Sequence, residues 1–467
     1  MELPKIPKCD IDDLTTKAIG EFGRWQFKVS FLMSIMKLPI AWYQLNIIFM
    51  APPQEFWCVK PESFSKYSDE EWRKMSVPIS QCVLMWGVLI GGIMFGVIAD
   101  QYGRRIPLMA AIAIQSITSF IASAMPHFWW WMAVRFILAL ASGGIGIISF
   151  VICVEVVSGK WRTTIPILYQ LPFGLGSAVM ALLAYWLRDW RKLEFALASI
   201  SSLFLLYWFW IPESPRWLLA TGQTQKAIEV LRIAAKQNKT EQNFQAMQNL
   251  LPKCNIVKLK GCGFIAFFKS KNMRTKTLLL SINWFFTGIA FFAFAQYLGT
   301  IAENIFLTVA LSGIISLPGG LLCVCIIANN GRKRTLWVFK LATAICFIGI
   351  KMVPRYHFAN DWPRLFFAGV GFAGLGGTVP ALYLYSGELF PTVGRNAGVA
   401  GVTIFAKIAA MVAPAVVGLN VLVPDLPLIV LTITSLSQML LIIPLPETKG
   451  YPLPDTLEQA EQFRREK

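Results

Sequence analysis

The chain has 467 residues, of which 55% are hydrophobic and only 15% charged, and its formal net charge is +17. A soluble domain carries about a quarter charged residues, whereas many apolar runs here reach the ~20 residues needed to cross about 30 Å of hydrocarbon. A string of soluble domains is therefore excluded, and because lipid offers the backbone no hydrogen-bond partners, the runs must be helices.

In chain order, a polar segment over 1–26 precedes a first span predicted at 27–50. Further spans are predicted at 79–99, 106–126, 129–152, 164–187 and 194–212. A long polar stretch, 214–276, follows, with a helix expected from Thr224 through Ala234. Six more spans are predicted at 277–298, 304–328, 335–354, 364–387, 397–421 and 426–445, before a tail over 446–467. The fold class is thus an all-α membrane protein of twelve transmembrane helices, with six-helix bundles over 27–213 and 277–445 joined by the linker 214–276.

The charge distribution argues against nucleic acid as a partner and for a bilayer. The linker is rich in Lys and Arg, from Arg216 to Lys276, and its acids are Glu229 and Glu241. Arg104, Arg105, Lys160, Arg162, Arg332, Lys333, Arg334 and Arg395 fall in loops on the same side, while the opposite loops are balanced, as in Arg188, Asp189, Arg191, Lys192 and Glu194. This is positive-inside asymmetry, so both termini and the linker are expected in the cytoplasm. No cleavable signal peptide is expected, the first span directing insertion. Cys58 and Cys82 are the cysteines near the outer face, allowing at most one outer disulfide. The sequon Asn238-Lys239-Thr240 falls on the cytoplasmic side and is expected to stay unmodified.

The two halves repeat their charged punctuation. After span two comes Gly96-Val97-Ile98-Ala99-Asp100-Gln101-Tyr102-Gly103-Arg104-Arg105, and after span eight Asn329-Asn330-Gly331-Arg332-Lys333. Glu155 is followed by Arg162 after span four, and Glu388 by Arg395 at the same spacing after span ten. Such repeats mark duplicated units whose substrate site lies at their interface near mid-membrane. Acids at helix ends and arginines in adjacent turns can pair across helices. A cytoplasmic gate is expected from Asp100, Arg104, Arg105, Glu155, Arg162, Glu213, Arg216, Arg332, Glu388, Arg395 and Glu447, holding the halves together in an outward-open state. The alternative is that these charges only fix topology.

These residues resemble the major facilitator superfamily, and within it the organic cation/anion/zwitterion transporter family, over nearly the whole chain. Pro212-Glu213-Ser214-Pro215-Arg216-Trp217-Leu218 and Pro446-Glu447-Thr448-Lys449-Gly450 are superfamily-wide or shared with sugar porters. More specific are Leu168-Tyr169-Gln170, Arg188-Asp189-Trp190-Arg191, Gly20-Glu21-Phe22-Gly23, Ala51-Pro52 through Trp57-Cys58, and Leu453-Pro454-Asp455-Thr456. The chain departs from the family in its first outer loop, short over Val59 to Pro78, and in Gln101, Asn329 and Asn330, which stand where Arg and Asp are usual. Sugar porters carry a Gln- and Asn-rich stretch in span seven; here that span reads Asn283-Trp284-Phe285-Phe286-Thr287-Gly288, which disfavours a hexose.

Ionisable side chains at bilayer depth cost roughly 2.5–3.5 kcal/mol each on insertion scales, so they point to function. Lys37 lies mid-span in span one and Lys407 mid-span in span eleven, with no acid read at comparable depth. Lys340 and Lys351, nearer span ends, are read as snorkelling. Two central cations without an anion call for a negative guest. The resemblance implies that Lys407 stands where the cation branch has Asp and the anion and carnitine branches Arg, and Ser316 where the cation branch has Glu; Gly320 stands where some anion carriers have Lys. Trp284, Phe285, Phe291, Phe292, Tyr383 and Tyr385 are expected to complete the substrate site, and Trp129-Trp130-Trp131 to anchor the membrane interface.

The leading expectation is a carrier of small organic anions or zwitterions working by alternating access, through facilitated diffusion or exchange, in the plasma membrane. A carrier of organic cations held by an aromatic cage is the alternative, and a non-transporting sensor or vesicle-protein relative a third. No enzyme, cofactor or metal site is expected: the histidines are His127 and His357, both in outer loops.

Overall fold

The computed structural model describes residues 8–9, 11–50, 69–159, 161–248, 255–256, 264–298, 304–354, 357–358, 361–391, 395–421, 423–450, 454 and 457–462. Cys58, Lys160, Leu453, Asp455 and Thr456, and the segments that hold Ala51-Pro52 and Trp57, lie outside these residues.

Among the described residues ten helices are long and apolar enough to cross a bilayer, from Ile79–Tyr102 to Ala397–Gly418, and the shorter apolar helix Leu426–Ile442 follows them. The remaining span, the first, is broken into Arg24–Ile35, Lys37–Leu45 and Ile47–Met50. Pro39 explains the first break. It has no N–H for the carbonyl of Ile35 and its ring crowds that carbonyl, so the chain tightens at Met36, whose amide donates to Met33 O at 3.2 Å. Lys37 emerges at this kink. Proline also falls inside spans five, eight, ten and eleven, at Pro166, Pro318, Pro380 and Pro414.

The first six spans pack as one bundle and the last six as another. Span two lies along span four, span seven along span eleven, and span eight along span ten. The bundles meet along spans two and eleven and along spans five and eight. The second seam requires glycine: a Cβ on Gly174 would lie 2.6 Å from Gly313 O, and one on Gly313 2.5 Å from Gly174 O.

The apolar core has an asymmetry across the membrane. Toward the face opposite the linker, one cluster draws from both halves, joining Trp42, Phe49 and Leu84 to Ile289, Phe294 and Ala409. There Phe49 stacks on Phe306 at 5.4 Å and Arg188 lies 4.8 Å from the same ring. Toward the linker face, the first half has its own cluster around Ile145 and Leu231, and the second has one around Leu280 and Phe390 that takes in Ile167.

The linker folds into helices including Pro215–Ala220 and Thr224–Asn238, which pack under the first half with Ile11–Ile19. Asn238 binds this layer together: its amide donates to Ile19 O and Gln26 Oε1, and its Oδ1 accepts from Trp25 N. The sequon asparagine is thus consumed by structure. Under the second half, tail helix Leu457–Gln462 docks on the start of span seven. Glu461 accepts from the Asn272 and Met273 amides, both at 2.9 Å, and from Ser270 Oγ, while Lys276 Nζ donates to Ala460 O at 2.7 Å. These are the orphan amides of a helix start. Mild burial presses the Glu461 carboxyl upward, but the Ser270 and backbone hydrogen bonds, with Lys276 beyond them, hold it below the usual carboxylate range.

Candidate functional site

A cavity of about 140 Å³ lies where the two bundles face each other, lined from spans one, five, seven, eight, ten and eleven. Span seven presents Trp284, Thr287, Gly288, Phe291 and Phe292 to it, the i, i+3, i+4, i+7, i+8 stripe of one helix face. Span ten presents Phe372, Gly376, Val379, Pro380 and Tyr383, and span eleven Thr403, Ala406 and Lys407. Span seven and span eleven approach closely because Gly288 has no side chain: a Cβ there would sit 2.5 Å from Ala406 O. That crossing brings Lys407 to the aromatic stripe, with Nζ 5.6 Å from the Phe292 ring centroid. Across the cavity Lys37 Nζ lies 4.7 Å from the Tyr169 ring centroid. Both lysines are half-buried and line the cavity, and no Asp or Glu is among the described residues that line it.

The aromatic wall has a fixed order. Trp284 Nε1 donates to Ser386 Oγ at 3.0 Å, and its ring meets Tyr383 edge-on at 4.5 Å. Tyr383 also reaches across to Phe150 of the first half, 5.7 Å away, and Phe291 to Phe173 at 5.7 Å. Pro380 removes the helical donor to Gly376 O, and both residues line the cavity. At about 140 Å³ the space falls below the ~300–1,000 Å³ of ordinary ligand pockets. A solute of more than a few heavy atoms therefore requires the halves to part.

Of the substrate residues expected from sequence, Lys37, Lys407, Trp284, Phe291, Phe292 and Tyr383 are brought together here. Phe285 and Tyr385 are not. Phe285 points away from the stripe and packs against Phe286 and the shared core. Tyr385 is buried below the cavity, its hydroxyl donating to Pro446 O at 2.5 Å. Ser316 lines the cavity, whereas Gly320 packs against Leu171.

Two buried charges, Lys340 and Glu194, were misread from sequence, and a third, Arg135, was not read at all. Lys340 does not snorkel. It is 2% exposed, and its ammonium donates to Gln438 Oε1 and, at 3.5 Å, to Thr287 Oγ1, directly behind the cavity wall. Glu194 is not a loop charge but sits buried one turn into span six, accepting from Asn46 Nδ2 at 3.0 Å. Arg135, in span four, completes that group by donating to Asn46 Oδ1 at 2.7 Å. Its guanidinium also lies 4.8 Å from the Trp131 ring, so Trp131 turns inward while Trp129 and Trp130 stay exposed. Cys82 is a free thiol whose Sγ donates to Met411 O across the seam between the halves.

The linker-face charges pair differently from the expected Glu155/Arg162 and Glu388/Arg395 couples. Arg104 takes Glu155 through Nη2 at 2.9 Å and Nε at 3.4 Å, and Asp100 at 2.8 Å. Burial alone would lower the Arg104 guanidinium, but Glu155 and then Asp100 more than offset it and hold it above its ordinary value. Arg332 takes Glu388 in the second half. Glu213 accepts from the amides of Arg104 and Arg105, and Glu447 from those of Arg332 and Lys333. Arg162 and Arg395 donate within their own turns, to Val157 O and Phe390 O, and Arg216 to Val157 O and Ser158 Oγ. Apart from those of Arg162 and Arg395, these bonds tie elements of one half to each other.

The chain matches the family described as sugar (and other) transporter over residues 32–458. It is 30% identical to solute carrier family 22 member 2 of Rattus norvegicus, covering 82% of this chain and 69% of that protein. It is 26% identical to the organic cation transporter protein of Drosophila melanogaster, covering 97% of this chain and 94% of that one. Among solved structures it resembles the major facilitator superfamily proton:xylose symporter XylE bound to 6-bromo-6-deoxy-D-glucose, at a TM-score of 0.71 and 18% identity, over 94% of this chain and 98% of that one.

Proposed function

The chain belongs to the sugar (and other) transporter family and, within the major facilitator superfamily, to solute carrier family 22, and from that footing as a multi-pass membrane transporter we propose that its solutes are small organic anions or zwitterions. The observation that carries this reading is the cavity with two lysines and no acid. A buried ammonium without a counter-ion is expensive, and a carboxylate or sulfonate on the solute offsets that cost. The aromatic wall of Trp284, Phe291, Phe292 and Tyr383 supplies apolar and π faces for the rest of the solute. Glu155, Glu388 and their arginines brace each half as it rocks about the site, and the shared apolar core on the opposite face must open for the alternate state. With no acid among the described residues of the cavity to bind Na⁺ or H⁺, transport proceeds by facilitated diffusion or exchange. The protein works in the plasma membrane with its termini and linker in the cytoplasm.

One observation favours a second reading. The Drosophila relative is named for organic cations, and six aromatic rings line the cavity: Phe173, Trp284, Phe291, Phe292, Phe372 and Tyr383. Such a cage holds a cation without an acid. Uptake of a radiolabelled panel into vesicles, with and without a Na⁺ or pH gradient, decides. Saturable, gradient-independent uptake of carboxylates or sulfonates supports the anion reading; preference for quaternary ammonium compounds sinks it.

A further inference from the structure

A second cavity, of about 280 Å³, lies at the linker-face edge of the first half, away from the transport site. Its walls are the start of span one, the turn into span three, the end of span six and the linker helix Thr224–Asn238. Among the described residues its charged lining side chains are Lys28 and Arg105, and no acid lines it. Lys28 is exposed and makes no ion pair or hydrogen bond among the described residues. Arg105 is aimed by its neighbour: its guanidinium lies 4.7 Å from the Trp208 ring and Nη2 donates to Trp208 O at 2.5 Å. Its Nε is buried with no hydrogen-bond partner among the described residues. Gln237 adds an exposed amide to the rim.

The mouth of this cavity is apolar. Phe209 is 77% exposed, and Trp210 and Ile233 are each 51% exposed. Phe209 and Trp210, at the end of span six, are side chains placed against acyl chains, and Ile233 adds an exposed apolar side chain from the linker helix. The linker helix exposes Arg232 and Lys236 beside Ile233 and Gln237, a basic face bordered by an apolar one, as in helices that lie at a bilayer surface. Glu229, one turn earlier on that helix, is exposed but does not line the cavity. Two cations, an orphan N–H and an amide above an apolar mouth match one chemistry: a phosphodiester carried on acyl chains. Basic pockets between spans recognise anionic lipid head groups in this way.

We propose that this cavity is a binding site for the phosphate head group of an anionic glycerophospholipid in the leaflet facing the linker. Lys28 and Arg105 hold the phosphate oxygens, Gln237 donates to the glycerol or head-group oxygens, and Phe209 and Trp210 flank the acyl chains. The site is separate from solute recognition and stands whichever solute charge is correct.

The test uses the full chain reconstituted in vesicles of equal parts phosphatidylcholine and phosphatidylglycerol, with a trace of photoactivatable phosphatidylglycerol. Labelled peptides are identified by mass spectrometry. Labelling should concentrate on the peptides holding Trp210 and Ile233, and should fall about fivefold for each of Lys28→Gln and Arg105→Gln. Soluble glycerol phosphate should not compete. Equal labelling by a phosphatidylcholine probe, unchanged labelling in both variants, or full competition by glycerol phosphate would each overturn the proposal. Should Arg105→Gln fail to fold, Lys28→Gln and Gln237→Glu, both at exposed positions, carry the same test, and unchanged labelling in that pair overturns it.

Discussion

Arg332 grips Glu388 with two nitrogens, Nη2 to Oε1 at 2.7 Å and Nε to Oε2 at 2.9 Å, while Thr448 Oγ1 donates to the same carboxylate. The first half repeats the arrangement with Arg104 and Glu155. In each half a second carboxylate, Glu213 or Glu447, accepts from two successive amides of the turn that bears the arginine. The turn is therefore clamped from both ends, its arginine to one helix and its backbone to another. Gly103 and Gly331 make this possible: both hold positive φ, at 98° and 84°, and a Cβ on either would lie within 3.0 Å of the clamping carboxylate.

Breaking that clamp should destabilise the second half. Removing one partner of a buried ion pair costs about 3–5 kcal/mol, and the 17% exposure of the Arg332 side chain places this pair at the lower end. Glu388→Gln should lower the thermal unfolding midpoint of the solubilised protein by several degrees. Arg332→Lys, which keeps the charge but loses the fork, should fall between it and the wild type. Equal midpoints for all three proteins would show that the clamp does not hold the fold.

The glycine seam makes a prediction about conformation. A side chain at Gly174 meets Ser316 Oγ and, more rigidly, the backbone carbonyl Gly313 O, which has no rotamer to move to. Overpacking of this kind costs about 1–3 kcal/mol, enough to shift a two-state balance roughly tenfold. Gly174→Leu should therefore favour the state in which spans five and eight have separated. Cys82, against Met411 O at the other seam between the halves, reports this. Its alkylation by an impermeant maleimide from the face opposite the linker, followed by peptide mass spectrometry, should be roughly tenfold faster in Gly174→Leu. Alkylation at the wild-type rate would mean that the seam does not govern access.

The docked tail carries a pH dependence. The Glu461 carboxyl is held below its ordinary range, so it contributes to docking above the unfolded carboxylate value of about 4.3. That contribution is lost as pH falls through the lower, folded value. A spin label at exposed Glu458 should stay immobile from neutral pH to about pH 5 and loosen only under stronger acid. Glu461→Gln, which cannot accept as a carboxylate at the start of span seven, should be mobile throughout. A label whose mobility is the same in both proteins at neutral pH would remove Glu461 from the latch.

How far these features are visible in sequence depends on helix geometry. The twelve spans follow from apolar length, and Lys37 and Lys407 from the cost of a charge at mid-span. Which aromatics reach the cavity follows from a step that composition does not take. Trp284, Thr287, Gly288 and Phe291 recur at helical spacing, whereas Phe285 sits about 100° around the helix from Trp284. Tyr383 and Tyr385 are separated by about 200° and cannot share a face. Lys340 deceived because it lies two turns from the end of span nine, within reach of the interface had it faced lipid; only the packing of span nine on span twelve turns it to Gln438. Arg135, Asn46 and Glu194 lie on three different spans, and nothing in a single sequence brings them together. The Arg104–Glu155 pair is hidden for the same reason, since the nearer Arg162 competes for attention by spacing alone.

Lys407 carries the prediction on charge selectivity. It faces the cavity from span eleven, is held close to span seven by the Gly288 crossing, and has an aromatic ring rather than an acid as its neighbour. Lys37 lines the same cavity from the other half, so like charges face each other across the space and an anion between them relieves the repulsion of both. Lys407→Ala should therefore lose most anion transport while Lys37 still supports weak binding. Lys407→Arg should retain part of the activity, its planar fork reaching the carboxylate from a different angle. Lys407→Asp reverses the sign, places an acid opposite Lys37, and should move preference toward cations by about tenfold or more. The measurement is competition by matched anionic and cationic analogues that share one aromatic body, in wild type and Lys407→Asp, with surface expression checked for each. If the order of preference is the same in both proteins, the aromatic wall and not the lysine sets selectivity, and the cation reading takes precedence.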